Sequence, residues 1–179
     1  MFSSDMPWDK YGLIVELARR IQGVSPQFGK TVLQKLVYLL TTIYEVPTGY
    51  EHTLYTYGPF SSELASDVET VAAMEGVQIT HGAKSGYEIS LGNNGDWVYG
   101  KSKEFINSNS DKIDSLIKDF GCFSAKDLEL RSTLIFLTKS EKLTKEKLKN
   151  QLIDLKPYFT ETEVYSAIDE LIGNGFITL

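Results

Sequence analysis

Residues 30 to 44 constrain this chain most, because Leu33, Leu36, Val37, Leu40, Ile43 and Tyr44 recur at helical spacing and form one apolar stripe. Lys30, Gln34 and Lys35 fall off that stripe and read as its polar side. A helix with so wide an apolar face must lie against other elements, so this segment is expected at the centre of a packed core. The chain has 179 residues, 42% of them hydrophobic and 23% charged, the balance of an ordinary globular protein. It can bury a sizeable core without a metal or disulfide staple. The single cysteine, Cys122, has no partner for an internal disulfide and is expected to be structural.

Local signals place the other elements around this helix. Apolar positions Ile14, Leu17, Ala18 and Ile21 predict a first helix from Asp9, stopped by Gly23 and Ser25-Pro26. His52 to Tyr57 suits a strand that ends at Gly58-Pro59, and Ser61 or Ser62 then caps a helix carrying Leu64, Val68, Val71 and Ala72, which Gly76 closes. Val77–Thr80 and Tyr87–Leu91 flank a Gly-containing loop and read as a hairpin. Asp96 is expected to cap a long helical region that reaches Phe120 and breaks at 107–110. Ser124-x-x-Asp127 and Thr160-x-x-Glu163 match the capping box, with a helix at 144–154 between them. Val164, Ile168, Leu171 and Ile172 form a last stripe that stops at Gly173-Asn174-Gly175, before a strand-like Phe176–Leu179.

This order predicts a mainly α (α+β) protein. Its N-terminal unit, residues 1–95, is expected to be winged-helix-like with a small β-hairpin. Residues 96–179 form a helical C-terminal domain that reads as a second, minimal winged-helix-like unit. The halves show no convincing internal repeat, so the tandem reading rests on element order.

Three segments, in order, carry a resemblance. They are Leu33-Gln34-Lys35-Leu36-Val37-Tyr38-Leu39-Leu40, then Tyr57-Gly58-Pro59-Phe60-Ser61-Ser62-Glu63-Leu64, then Tyr87-Glu88-Ile89-Ser90-Leu91 followed by Gly95. Together they resemble the Panacea or SocA-type antitoxin-associated domain, and more closely its YwgA-like relatives in bacteria and archaea. The likeness covers roughly residues 10 to 100, and Leu134-Ile135-Phe136-Leu137 is similar to a downstream helix of such proteins. It implies a helical, winged-helix-like fold that binds a protein partner as an adaptor or antitoxin, and it supplies no catalytic residues. The chain departs from the commoner antitoxin form in having Phe60-Ser61 after Tyr57-Gly58-Pro59 and in its long helical C-terminal extension.

Catalytic motifs are lacking. Gly29-Lys30-Thr31 has no Gly five residues before Gly29 and no preceding strand, so it reads as the start of a helix rather than a phosphate loop. His52, His81 and Cys122 do not have zinc-site spacing, and nothing beside Cys122 suggests an activated thiol. Glu63 and Asp67 share a helix face with Glu69 nearby, which reads as a solvated acidic face rather than an acid–base pair. We therefore expect no enzyme activity, no metal and no cofactor.

Charge bears on partners. The net charge is −6, and residues 1–98 hold 6 Lys or Arg against 11 Asp or Glu. Winged helices read DNA with their third helix, yet residues 61–75 carry Glu63, Asp67, Glu69 and Glu75 and no base, and residues 160–172 carry Glu161, Glu163, Asp169 and Glu170 and no base. Like charges would meet at the phosphates. The nucleic-acid alternative, a winged-helix transcriptional regulator, rests on Lys139, Lys142, Lys145, Lys147 and Lys149, on the hairpin loop at Ala83-Lys84, and on dimerisation. Tyr50, Tyr55, Tyr57 and Phe60 have no interleaved Lys or Arg, since none occurs between Lys35 and Lys84, and so read as core and strand packing.

The favoured reading is a non-enzymatic protein-interaction module with a docking patch at Tyr57, Gly58, Pro59 and Phe60, in which Phe60→Ala weakens partner binding without unfolding the chain. A homodimer is compatible with it. The longest apolar runs, such as Leu36 to Leu40, are too short to cross a membrane, and the sequence opens without a cationic, then apolar, leader. A cytoplasmic location is expected.

Overall fold

The computed structural model describes residues 6–82 and 86–179. These form α1 (Trp8–Arg20), α2 (Lys30–Thr42), β1 (Thr53–Tyr55), β2 (Gly58–Phe60), α3 (Ser62–Ala73), β3 (Val77–His81), β4 (Tyr87–Leu91), α4 (Gly95–Lys101), α5 (Lys103–Ser108), α6 (Ser110–Phe120), α7 (Ala125–Thr138), α8 (Lys145–Leu155) and α9 (Glu161–Gly173). The chain is thus mainly helical, with two separate antiparallel hairpins, β1–β2 and β3–β4.

The two central helices, α1 and α2, are buried along most of their length. α1 packs on α3, α4, α5 and α6, while α2 packs on β2, α6 and α7, so buried apolar residues from Tyr11 to Ile177 form one continuous cluster. α1 approaches the α4–α5 junction so closely that a Cβ at Gly12 would lie 1.6 Å from Ser102 Oγ. Behind α2, α7 is buried from Leu128 to Ile135 and carries α8 and α9 on its far side. Arg131 on α7 grips Glu170 on α9 with two charge-assisted bonds, from Nε at 2.9 Å and from Nη2 at 2.5 Å.

The predicted caps form where short side chains precede helices. Ser61 Oγ accepts from the Leu64 amide, and Ser124 and Thr160 complete capping boxes with Asp127 and Glu163. Elsewhere the expectations need correction. The region after Leu91 is not one long helix with a single break. It starts after Asn94 rather than Asp96 and is interrupted at Ser102 as well as at Asn109, which lets three short helices wrap α1. α3 is closed by Glu75 in the left-handed region (φ 58°), while Gly76 is needed for packing, since a Cβ there would meet Val71 at 2.8 Å. Phe176–Leu179 forms no strand. Its amides turn back to cap α9, from Phe176 to the Leu171 carbonyl at 2.8 Å, and Phe176 packs on Phe120 instead of pairing with another chain segment.

Strand β1 ends at Tyr55, but Gly58-Pro59 does not end the extended structure there. Those residues begin β2, which returns along β1 with Leu54 opposite Pro59. Proline cannot donate to a ladder, so this pair is the non-hydrogen-bonded one and the Pro59 carbonyl faces away from β1. The donor that meets this outward carbonyl defines the site.

Candidate functional site

Long polar side chains hold the β1–β2 hairpin from both sides. On α2, the Gln34 amide brackets Ser61, donating from Nε2 to its carbonyl at 2.9 Å and accepting from its N–H at 2.8 Å. The next residue, Lys35, donates from Nζ to the Pro59 carbonyl at 2.8 Å. Opposite, Lys156, just past α8, donates to the Thr56 carbonyl at the hairpin tip at 2.7 Å. Gly58 closes the turn at φ +90°, a conformation that favours glycine, and a Cβ there would stand 2.9 Å from Thr133 Oγ1 and 3.4 Å from Lys35 Cε.

The tethers are buried charges, and burial requires compensation. Lys35, Glu129 and Lys156 are all buried, with Lys156 Nζ 2.5 Å from Glu129 Oε1, which also accepts from the Tyr158 hydroxyl. Burial lowers the Lys35 ammonium to about 8, against the pull of Glu129 and with the repulsion of Lys156. His52, edge-on to Tyr38 with ring centroids 5.4 Å apart, is pushed down to about 4, first by burial and then by the charge of Lys35. Its Nε2 is buried without a hydrogen-bond partner.

Around this rigid base the surface is aromatic. Tyr55 is 66% exposed, Tyr57 61%, Tyr158 53% and Leu155 52%. Burial first, then the bond to Glu129 and its charge, hold the Tyr158 hydroxyl above its usual range. A cavity of about 180 Å³ opens beside the hairpin, walled by Tyr55, Tyr57, Phe60, Ala65 and Val68, with Lys30 and Lys35 as its charged lining.

Of the expected interaction patch, then, Tyr57 stands out into solvent, Gly58 and Pro59 are buried, and Phe60 is half-buried with its ring 5.6 Å from that of Tyr55. Tyr50 does pack in the core, donating its hydroxyl to Asp67 at 2.8 Å, but Tyr55 and Tyr57 do not, contrary to the core-packing reading. Asp67 is correspondingly buried rather than solvated, and burial raises its pKa. Gln34 and Lys35 were expected on a polar face and are buried instead. Lys156, Glu129, Tyr158 and Leu155 were not singled out by the sequence. The available signal was a pair of charges, Lys35 and Glu129, each embedded in an apolar helical run.

The lysine group divides. Lys145 pairs with Asp169 at 2.5 Å, and Lys149 is buried between Glu146 and Glu161 at 3.1 and 3.0 Å, so both are spent on neighbouring carboxylates. Lys139, Lys142 and Lys147 are exposed. The acidic candidate helices are also paired internally: Glu63 with Lys10, Glu69 with Lys30, Glu163 with Lys126 and Glu170 with Arg131. The Ala83-Lys84 loop lies outside the described residues. Gly29-Lys30-Thr31 forms the start of α2, and Cys122 is an exposed free thiol rather than a core residue. Among the described residues no group of three or more His, Cys, Asp or Glu is placed to hold a metal ion, and no helix is long and apolar enough to cross a membrane.

Fold and site together define a mainly helical α+β protein that presents an aromatic hairpin on a buried ionic base. No protein-family model matches the chain, and a search of curated proteins finds no match.

Proposed function

We propose that this chain is a non-enzymatic, cytoplasmic protein-interaction module, an adaptor or antitoxin-like regulator on a winged-helix-like scaffold, and that its partner docks on the β1–β2 hairpin. The observation that carries this reading is the exposure of Tyr55, Tyr57, Tyr158 and Leu155 around a hairpin tethered by Lys35 and Lys156. Tyrosines are favoured interface anchors because they bury a large area for little conformational entropy, and a pre-organised loop binds with less ordering cost. The tethering of Pro59 and Thr56 by Lys35 and Lys156 supplies that pre-organisation. The β3–β4 hairpin following α3 supports the winged-helix-like scaffold, and the resemblance to antitoxin-associated domains is carried by the same residues, Gln34-Lys35 and Tyr57 to Ser61, that meet in this site.

Burial of Lys149 between Glu146 and Glu161 weighs against the DNA-binding alternative, since its charge is already offset. The test is capture of partners from host extract, with and without nuclease treatment, by the tagged full chain and by a Tyr57→Ala/Tyr158→Ala variant. A stoichiometric protein should survive nuclease and drop about tenfold in the variant, a loss of about 1.4 kcal/mol in binding. Half-buried Phe60 is a poorer target, because its loss also opens the cavity. Retention of DNA that nuclease removes, with no protein retained, would overturn the reading.

A further inference from the structure

We infer that the cavity beside the hairpin receives one aromatic side chain of the partner, from a segment whose flanking residues are acidic. This rests on the protein-docking reading and specifies the partner's chemistry. The cavity's volume of about 180 Å³ is near the roughly 150 Å³ that accommodates one benzene ring. Its walls are apolar, from Tyr55, Phe60, Ala65 and Val68, and the charges among its lining residues are two lysines, Lys30 and Lys35, with no carboxylate among the described ones.

The positive lining continues. Lys30 and Thr31 also border an adjoining cavity of about 450 Å³, whose other charged lining residue is Lys126, again with no described carboxylate. Lys35 is buried and bonded to the Pro59 carbonyl, so the accessible charges of this trough are Lys30 and Lys126, each held only by an exposed carboxylate, and they favour negative flanks on whatever lies in it.

Two intramolecular carboxylates already occupy the places of such flanks, Glu163 on Lys126 at 3.2 Å and Glu69 on Lys30. Glu69 reaches from α3 to Lys30 at 2.5 Å, and its side chain is itself mostly exposed. Exposed pairs of this kind contribute little, so a partner carboxylate can replace Glu69 at little cost. The ring then enters the cavity while the flanks exchange with Glu69 on Lys30 and with Glu163 on Lys126.

The experiment is an NMR titration of the isotope-labelled full chain with the peptide acetyl-Asp-Asp-Phe-Asp-Asp-amide, with the same peptide carrying Gly for Phe, and with a version carrying Lys for each Asp. The acidic Phe peptide should saturate and move the amides of Lys30, Ala65 and Val68, with both control peptides about tenfold or more weaker. Ala65→Phe, which plugs the cavity, should abolish the response. Lys30→Glu should weaken it, and Glu69→Gln should tighten it about twofold or more by freeing Lys30. Shifts elsewhere, equal binding of the Lys peptide, or no saturation by about 5 mM peptide would overturn the inference. The same variants separate it from the broader reading. A captured partner that is lost with Tyr57→Ala/Tyr158→Ala but kept with Ala65→Phe leaves the docking hairpin standing and removes the cavity anchor; a partner kept by both removes both.

Discussion

Replacing Lys156 by methionine removes the cation that Glu129 faces at 2.5 Å inside the fold, and leaves a carboxylate buried with only the Tyr158 hydroxyl and the charge of Lys35 to offset it. Breaking one side of a buried pair costs about 3–5 kcal/mol, because the stranded charge keeps its desolvation penalty. The remaining partners of Glu129 place Lys156→Met at the lower end, about 3 kcal/mol. For a chain of this size that corresponds to a melting midpoint lowered by roughly 6–12 °C. Neutralising the stranded group removes most of the penalty, so Glu129→Gln/Lys156→Met should recover to within about 1–2 kcal/mol of the parent, the remainder reflecting the lost bond to the Thr56 carbonyl. Urea unfolding followed by circular dichroism gives the stabilities of the parent, Lys156→Met, Glu129→Gln and the double variant, and the cycle of these four should return a coupling of about 2 kcal/mol or more. Partner affinity should behave differently: it falls in both the single and the double variant, because each releases the hairpin tip. A Lys156→Met cost below about 1 kcal/mol, or a double variant no more stable than the single one, would refute the ionic base.

Two further outcomes follow from packing and titration. Gly12→Ala should destabilise by about 3 kcal/mol or more, since its Cβ would fall 1.6 Å from Ser102 Oγ and 2.4 Å from Ser102 Cβ, and Ser102→Gly in the same chain should restore much of the loss in thermal unfolding. His52 has a folded pKa of about 4 against 6.5 for the free side chain, so the unfolded chain takes up a proton first as pH falls. Its contribution is complete above about pH 6.5 and is lost toward pH 4, and His52→Gln should flatten the stability–pH curve across that window. A curve with the same slope in the variant would remove His52 from the account.

Much of the scaffold was legible because its signals are local. The stripe of α2, the caps at Ser61, Ser124 and Thr160, and the hairpin across 77–91 each depend on residues a few positions apart, where spacing and side-chain chemistry act directly on the backbone. The site was only half legible. Tyr57 to Phe60 was marked as a patch, but its orientation was not, since nothing local says that Pro59 turns its carbonyl toward α2 while Tyr55 and Tyr57 turn outward.

By itself, then, the sequence determined most helix starts and stops outside the 92–120 region, which faces are apolar, and that the chain is mainly helical with small β elements. Tertiary structure decided the fate of the polar residues. Lys35 and Gln34 look like the wet side of α2 until a hairpin some 24 to 27 residues later offers its backbone, and Lys156 finds the Thr56 carbonyl across 100 residues of chain. Periodicity identifies which face is apolar, but a polar group can be buried only if a partner waits there, and that partner is brought by the fold rather than by its neighbours in sequence. The same reason explains Phe176–Leu179, whose residues suit a strand but which meets no strand to pair with and caps α9 instead.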